Sequence, residues 1–154
     1  MSALDSIDIV APQGPQTAKE WGNALPLVHE IRHALTQLAQ TGESTLIDLL
    51  AMPFGPGDEA LLFRTLGRGE VEARIQALGP TKVWETQYPG VWVVDHYNAD
   101  AQRVALHVEI TKIPQILLSQ QHDIDDAIAR LDAQLAVVRS DMADSPEQIR
   151  RDNG

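Results

Sequence analysis

The sequence predicts an α+β fold in which helices pack on one face of a mainly antiparallel sheet. Two observations support this prediction. In three segments the apolar residues recur every three or four positions, which is typical of amphipathic helices. Between the second and the third of these segments the apolar period changes to two, and short turns interrupt it, which is typical of an antiparallel meander.

The first helix is predicted from Pro26, which suits a first helical turn, to Gly42, which ends it. A short strand is expected over residues 44–50. A second helix is expected from Asp58, interpreted as its N-terminal cap, to Gly67. The apolar stripe of the first helix consists of Leu27, Ile31, Ala34, Leu35 and Leu38.

Four strands are predicted near residues 70–78, 82–88, 91–97 and 102–111. A third helix follows, with Asp123 interpreted as its cap. Its single apolar stripe consists of Ile124, Ile128, Leu131, Leu135 and Val138. These elements predict one domain over residues 25–142, preceded by an N-terminal arm over residues 1–24 and followed by a frayed polar tail over residues 143–154.

Charge and cysteine content exclude several classes of function. The formal net charge of −10 repels phosphate backbones and anionic lipids, so neither a nucleic acid nor a membrane is expected as a partner. The sequence begins without a signal peptide pattern, which predicts a cytoplasmic protein. The chain contains no cysteine, so a disulfide, a thiolate nucleophile or an iron–sulfur cluster is excluded, and no cofactor is expected.

Strand alternation predicts a candidate partner-binding surface. In residues 102–111, one face carries Val104, Leu106, Val108 and Ile110 as core residues, and the other carries Arg103, Ala105, His107 and Glu109. A regular hairpin would pair Trp92 with His107 and His96 with Arg103. We therefore predict a surface formed by Trp92, His96, His107 and Glu109, with Trp92 as its anchor.

Two alternatives apply to this surface. The N-terminal arm contains four large apolar residues that would be able to cover Trp92 permanently: Ile7, Ile9, Val10 and Trp21. The two histidines and the carboxylate would also be compatible with a metal or catalytic site.

Residues 29–33 read HEIRH and match the H-E-x-x-H motif of zinc hydrolases, so His29 and His33 are a weak alternative metal site. On a helix these histidines lie opposite the apolar stripe and should face solvent. The motif also contains Arg32, and no recognisable third ligand follows it. A binding protein is therefore favoured over an enzyme, and a metal-dependent hydrolase remains the alternative.

Three stretches carry a resemblance to a known family. They are LPLVHEIRHALTQLAQTGESTLIDLLAMP at 25–53, LGRGEVEARIQALGP at 66–80, and ETQYPGVWVVDHYN at 85–98 together with HVEITKIPQIL at 107–117. In order and spacing they resemble the C-terminal conserved region of HupH-type (HyaF-type) hydrogenase expression proteins. Many members of this family carry two copies of the region, and this chain carries one.

The resemblance implies a role in assembling [NiFe] hydrogenase. It implies a chaperone or scaffold whose partner is the precursor of the hydrogenase small subunit, together with other maturation proteins. It supplies no catalytic residues. An unrelated protein-interaction module remains a further alternative.

Overall fold

The computed structural model describes the backbone of residues 22–151 and the side chains of residues 22–145. The chain divides after Lys112 into two compact units, whereas the sequence predicts one domain over residues 25–142. Most of the predicted N-terminal arm lies outside the described residues, which begin at Gly22.

The first unit contains two helices and a sheet of five strands. Its elements are α1 (Ala24–Thr41), β1 (Thr45–Asp48), α2 (Pro56–Leu66), β2 (Glu72–Gln76), β3 (Pro80–Glu85), β4 (Val91–Tyr97) and β5 (Arg103–Ile110). The strand order is β1-β5-β4-β3-β2, and every neighbouring pair is antiparallel. The predicted α+β fold with a meander is therefore confirmed.

Helix α1 buries four of the five residues of the predicted stripe, leaves Leu35 partly buried, and ends where the sequence indicates. Gly42 adopts a left-handed conformation with φ of 76°, and its N–H donates to the carbonyl of Leu38 at 2.9 Å. The buried side of α1 packs with α2 and with one face of the sheet in a single apolar core. That core includes Leu27, Ile31, Leu38, Leu62, Leu66, Trp84, Val91, Val93, Leu106, Val108 and Ile110.

Helix α2 begins earlier than predicted, which changes the role of Asp58. Pro56 occupies the first helical turn and Gly55 the cap position, so Asp58 stands at the third helical position. Its carboxylate reaches back and accepts the backbone N–H of Gly55 at 3.1 Å. The same side chain is 1% exposed and also accepts the N–H of Gly22 at 3.1 Å, which ties the chain before α1 to α2.

A β-bulge alters the predicted hairpin between β4 and β5. Trp92 pairs with Glu109 and His96 with Ala105, and the next pair is Tyr97 with Arg103. Residue 104 is therefore an extra residue in β5, and the alternation of side chains reverses beyond it. The predicted pairings are wrong by two residues along most of the hairpin, a shift that keeps each side chain on its predicted face.

The bulge corrects two assignments. Val104, predicted for the core, is 49% exposed because it stands at the bulge. Arg103, predicted on the same face as His107, instead turns to the helix side of the sheet, where it contacts α2.

The second unit contains a 3-10 turn, Gln115–Leu117, and the long helix α3, Gln121–Arg151. Helix α3 starts two residues before Asp123, which therefore lies in the first turn rather than at the cap. The helix also continues past Met142 to Arg151, so residues 143–151 are helical where the sequence predicted a frayed tail. Among residues 22–151, no helix has the length and hydrophobicity needed to cross a bilayer.

Candidate partner-binding surfaces

The sheet has an outer face, opposite α1 and α2, and this face carries the four predicted site residues. The pairing register brings His107 and Glu109 on β5 next to Trp92 and His96 on β4. The centre of the face is closed rather than open, because the four side chains at its middle are buried: Thr81, Val83, Trp92 and Val94.

Trp92 is the predicted anchor, but it is only 5% exposed. Its indole N–H donates to the carbonyl of Thr111 at 3.2 Å, which satisfies the polar atom of the ring. The ring is thus part of a packed layer in this structure and does not project from the surface. The arm residues that the sequence offered as an alternative cover for Trp92 lie outside the described residues.

The remaining three residues are half-buried and polar. His96 shares a hydrogen bond between its Nδ1 and the hydroxyl of Thr81. Burial raises the pKa of the Glu109 carboxyl, and the neighbouring charge of His107 opposes that rise. Glu109 and His107 form a small polar patch able to accept or donate a hydrogen bond.

The alternative site on the HEIRH motif has no support from the geometry of the described residues. His29 and His33 are exposed on α1, as their position opposite the apolar stripe predicted. Within residues 22–145, no group of three histidine, aspartate or glutamate side chains is placed to hold a metal ion.

An apolar groove lies between α1, α2 and the start of β4. Its cavity volume is about 220 Å³, and its walls are almost entirely apolar. Tyr88, which is 45% exposed, borders this groove and precedes the turn into β4. The lining residues are Val28, Ile31, Arg32, Leu35, Thr65, Leu66, Tyr88 and Val91. The groove is able to receive an apolar side chain or short segment of another molecule.

An ion-pair cluster on the helix side of the sheet was not predicted. Arg103 on β5 contacts Asp95 on β4 and Glu59 on α2. Burial works to lower the pKa of Arg103, but the hydrogen bonds and charges of Asp95 and Glu59 outweigh it, and the net shift is upward. The cluster links three elements, so its role is to hold the scaffold of the groove and sheet together.

Comparison with known proteins identifies the family. The family model for the HupH hydrogenase expression protein, C-terminal conserved region, matches residues 22–138. The chain belongs to this HupH C-terminal family. The match begins where the described structure begins and includes both units as far as Val138. The resemblance seen in the sequence motifs is therefore confirmed.

Several curated relatives of this HupH-family chain are similar over the same region. The hydrogenase expression/formation protein HoxQ of Azotobacter vinelandii is 32% identical over 111 residues, which are 71% of this chain and 39% of HoxQ. The hydrogenase expression/formation protein HupH of Rhodobacter capsulatus is 29% identical over 98 residues, which are 64% of this chain and 36% of that protein. The chain thus spans about two fifths of the length of these relatives.

A solved structure shares the HupH fold. The hydrogenase expression protein HupH from Thiobacillus denitrificans superposes with a TM-score of 0.74 at 38% sequence identity. The match covers 77% of this chain and 98% of that one.

The groove is the feature of this HupH-family chain that reasoning from the sequence missed. A signal for it was present in α1, where Val28 widens the predicted apolar stripe on the side of Leu35, and both side chains are only partly buried. When the apolar side of a helix is wider than the area that contacts the sheet, the residues along one edge of that side stay partly exposed. No comparable signal exists for the Arg103 cluster, because Glu59 lies 44 positions away.

Proposed function

We propose that this chain is an accessory protein of [NiFe]-hydrogenase maturation, and that it binds the precursor of the hydrogenase small subunit as a chaperone or scaffold. The observation that carries the proposal is the family match over residues 22–138. The relatives in that family are named as hydrogenase expression/formation proteins. We propose a binding role rather than a catalytic one, since these names describe accessory factors.

We place the contact with the precursor at the groove between α1 and α2. A chaperone has to offer an apolar site that is accessible in its folded state, and this groove is lined by Val28, Leu35 and the exposed aromatic ring of Tyr88. Tyrosine is a frequent anchor at protein interfaces because it offers a large rigid surface together with a polar group. The expected occupant is an apolar segment of the precursor.

The outer face of the sheet is the second candidate contact. Trp92 is buried there, so a contact would depend on the half-buried polar residues His96, His107 and Glu109. Such a contact would be polar and would resemble the rim of an interface more than its centre. It therefore ranks below the groove.

The test is direct binding of the full chain to the purified small-subunit precursor, at fixed salt and protein concentration. We expect Tyr88→Ala and Val28→Ser each to weaken binding by about tenfold or more, because truncating an anchor costs about 2 kcal/mol. The matched control is His29→Ala with His33→Ala, which alters exposed residues on the same helix outside the groove lining. His107→Ala tests the outer face in the same assay.

A wild-type chain that does not bind the precursor would overturn the proposed function. Binding that survives both groove variants but fails in His107→Ala would move the contact to the outer face. Melting temperatures of all variants separate loss of binding from loss of folding.

A further inference from the structure

Helix α3 presents an apolar stripe that is exposed along its length. Seven large apolar side chains of this helix are each more than two fifths exposed. Apart from Val137, they form one row: Ile124, Ile128, Leu131, Leu135, Val138 and Met142. Their successive intervals are four, three, four, three and four residues. Soluble proteins rarely leave so regular an apolar row in water, so the row is expected to have a partner.

The intervals identify the kind of partner. An alternation of three and four is the heptad pattern in which one narrow seam faces a second helix, and here it extends over nearly three heptads. The positions beside the seam include Asp125, Asp132, Gln134 and Arg139, which keep the stripe narrow. A helix that packs on a sheet or in a larger core has a broader stripe. The seam therefore fits one other helix.

The seam is complementary to its own reversed copy. When a second α3 is laid antiparallel, Leu131 of each helix faces Leu135 of the other, Ile128 faces Val138, and Ile124 faces Met142. Each of these three pairings occurs twice in the pair of helices, and the two occurrences are related by a two-fold axis, as in an isologous interface. No unmatched apolar position remains within the six.

Charge favours the antiparallel arrangement over the parallel one. In the antiparallel pair, Asp125 of each helix flanks Arg139 of the other, which gives two attractive contacts and one repulsive contact between the two copies of Asp132. A parallel pair would place the acidic first turns side by side, with Asp123, Asp125 and Asp126 of both chains together. Helix dipoles also oppose each other favourably when the helices run in opposite directions.

We propose that α3 is a dimerisation helix, which pairs two copies of this chain through an antiparallel two-stranded coiled coil over residues 124–142. This inference rests on α3 alone and is independent of precursor binding by the first unit. Because each copy then carries its own groove, the dimer offers two binding sites for a client.

The first test is the mass of the full chain in solution, measured by light scattering and sedimentation over a range of concentrations. We expect a dimer that is lost in Leu131→Asp with Leu135→Asp, which buries two charges at the central layers. The matched control is Ala133→Asp with Ala136→Asp, which adds the same charges outside the seam and should leave the dimer intact. Circular dichroism shows whether each variant keeps its helix.

The second test measures orientation and leaves the seam intact. The chain contains no cysteine, so single thiols can be introduced as Asp125→Cys or Arg139→Cys and joined with a short bismaleimide linker. A mixture of the two variants should cross-link, whereas either alone should not, because identical positions lie about 21 Å apart in the antiparallel pair.

Three results would overturn the proposal. The first is a monomer at every concentration, with or without a bound client. The second is efficient cross-linking of either single variant alone, which indicates a parallel pair. The third is equal loss of the dimer in the seam variant and in its control.

Discussion

Arg103 on β5 and Asp95 on β4 form a two-point ion pair, with Nε to Oδ1 at 2.9 Å and the second guanidinium nitrogen to Oδ2 at 3.1 Å. The same guanidinium donates to Glu59 on α2 at 3.0 Å. Tyr97 adds a hydrogen bond from its hydroxyl to Asp95 at 3.3 Å. The bulge at residue 104 makes this cluster possible, because it turns Arg103 to the helix side.

Removal of Arg103 should therefore destabilise the first unit. We expect Arg103→Ala to lower the free energy of unfolding by about 2 to 3 kcal/mol, because it leaves the buried carboxylate of Asp95 without its cation. Urea denaturation measures the change. Arg74→Ala is the control, since its ion pair with Glu72 is exposed and should contribute about 0.5 kcal/mol or less. Equal losses in the two variants would contradict a special role for the cluster.

Trp92→Ala should behave as a core substitution. We expect a loss of about 3 to 5 kcal/mol, which is the usual cost of truncating a buried tryptophan. Tyr88→Ala is the aromatic control, and its half-exposed position predicts a loss of about 1 kcal/mol or less. If Trp92→Ala left the melting temperature unchanged, Trp92 would have to be an exposed anchor after all.

The raised pKa of Glu109 gives stability a pH dependence of known sign. Because burial disfavours the charged carboxylate, the contribution of Glu109 is fully present below its ordinary pKa and is lost as pH rises through the raised pKa of the folded state. The glutamine side chain in Glu109→Gln does not ionise. The free energy of unfolding of this variant, relative to that of the wild type, should therefore increase as pH rises from about 3 to 7.

Denaturation at a series of pH values measures this gain. Glu70→Gln removes one carboxylate from an exposed position and controls for net charge. If the wild type instead became more stable than Glu109→Gln as pH rises, a cation would have to stabilise the charged form of Glu109.

The paired substitution His29→Ala with His33→Ala should leave the free energy of unfolding within about 0.5 kcal/mol of the wild type, because both side chains are exposed. The same preparations should be analysed for bound zinc. Stoichiometric zinc that disappears in the variant would favour the hydrolase alternative over the binding role.

Leu78 occupies the turn between β2 and β3 with φ of 46° and is 96% exposed. A left-handed conformation is costly for leucine and tolerable for asparagine. We expect Leu78→Asn to raise the melting temperature and Leu78→Val to lower it, since a β-branched side chain is worse in this conformation. A lower melting temperature for Leu78→Asn would show that the leucine makes a stabilising contact.

Local patterns predicted the elements of the fold well because burial repeats with the period of each element. The stripe of α1 and the alternation in β5 placed Leu27, Ile31, Val108 and Ile110 in the core, where the structure has them. The same alternation put Trp92 on the outer face with His107, which is correct. A pattern of period two, however, does not report whether that face is covered, so the sequence predicted a buried Trp92 only as the alternative to an exposed anchor.

Features that depend on distant parts of the chain were harder to predict. The bulge at residue 104 shifts the register without leaving a mark in the apolar pattern, so Arg103 was assigned to the wrong face. Asp58 was interpreted as a cap because the sequence shows an acid before an apolar run, but Pro56 starts the helix earlier. The bond from Gly22 to Asp58 then spans 36 positions and has no local signal.

The strand order also bears on how the chain folds. Strands β2 to β5 are neighbours both along the chain and in the sheet, so each hairpin closes over a short loop. Strand β1 pairs with β5 across most of the first unit, with Thr45 opposite Ile110, and it has to close a much longer loop. We therefore expect the meander to form in the folding transition state and β1 to dock after it. Newly made chains would pass through an interval in which one edge of β5 is open to pairing with other strands.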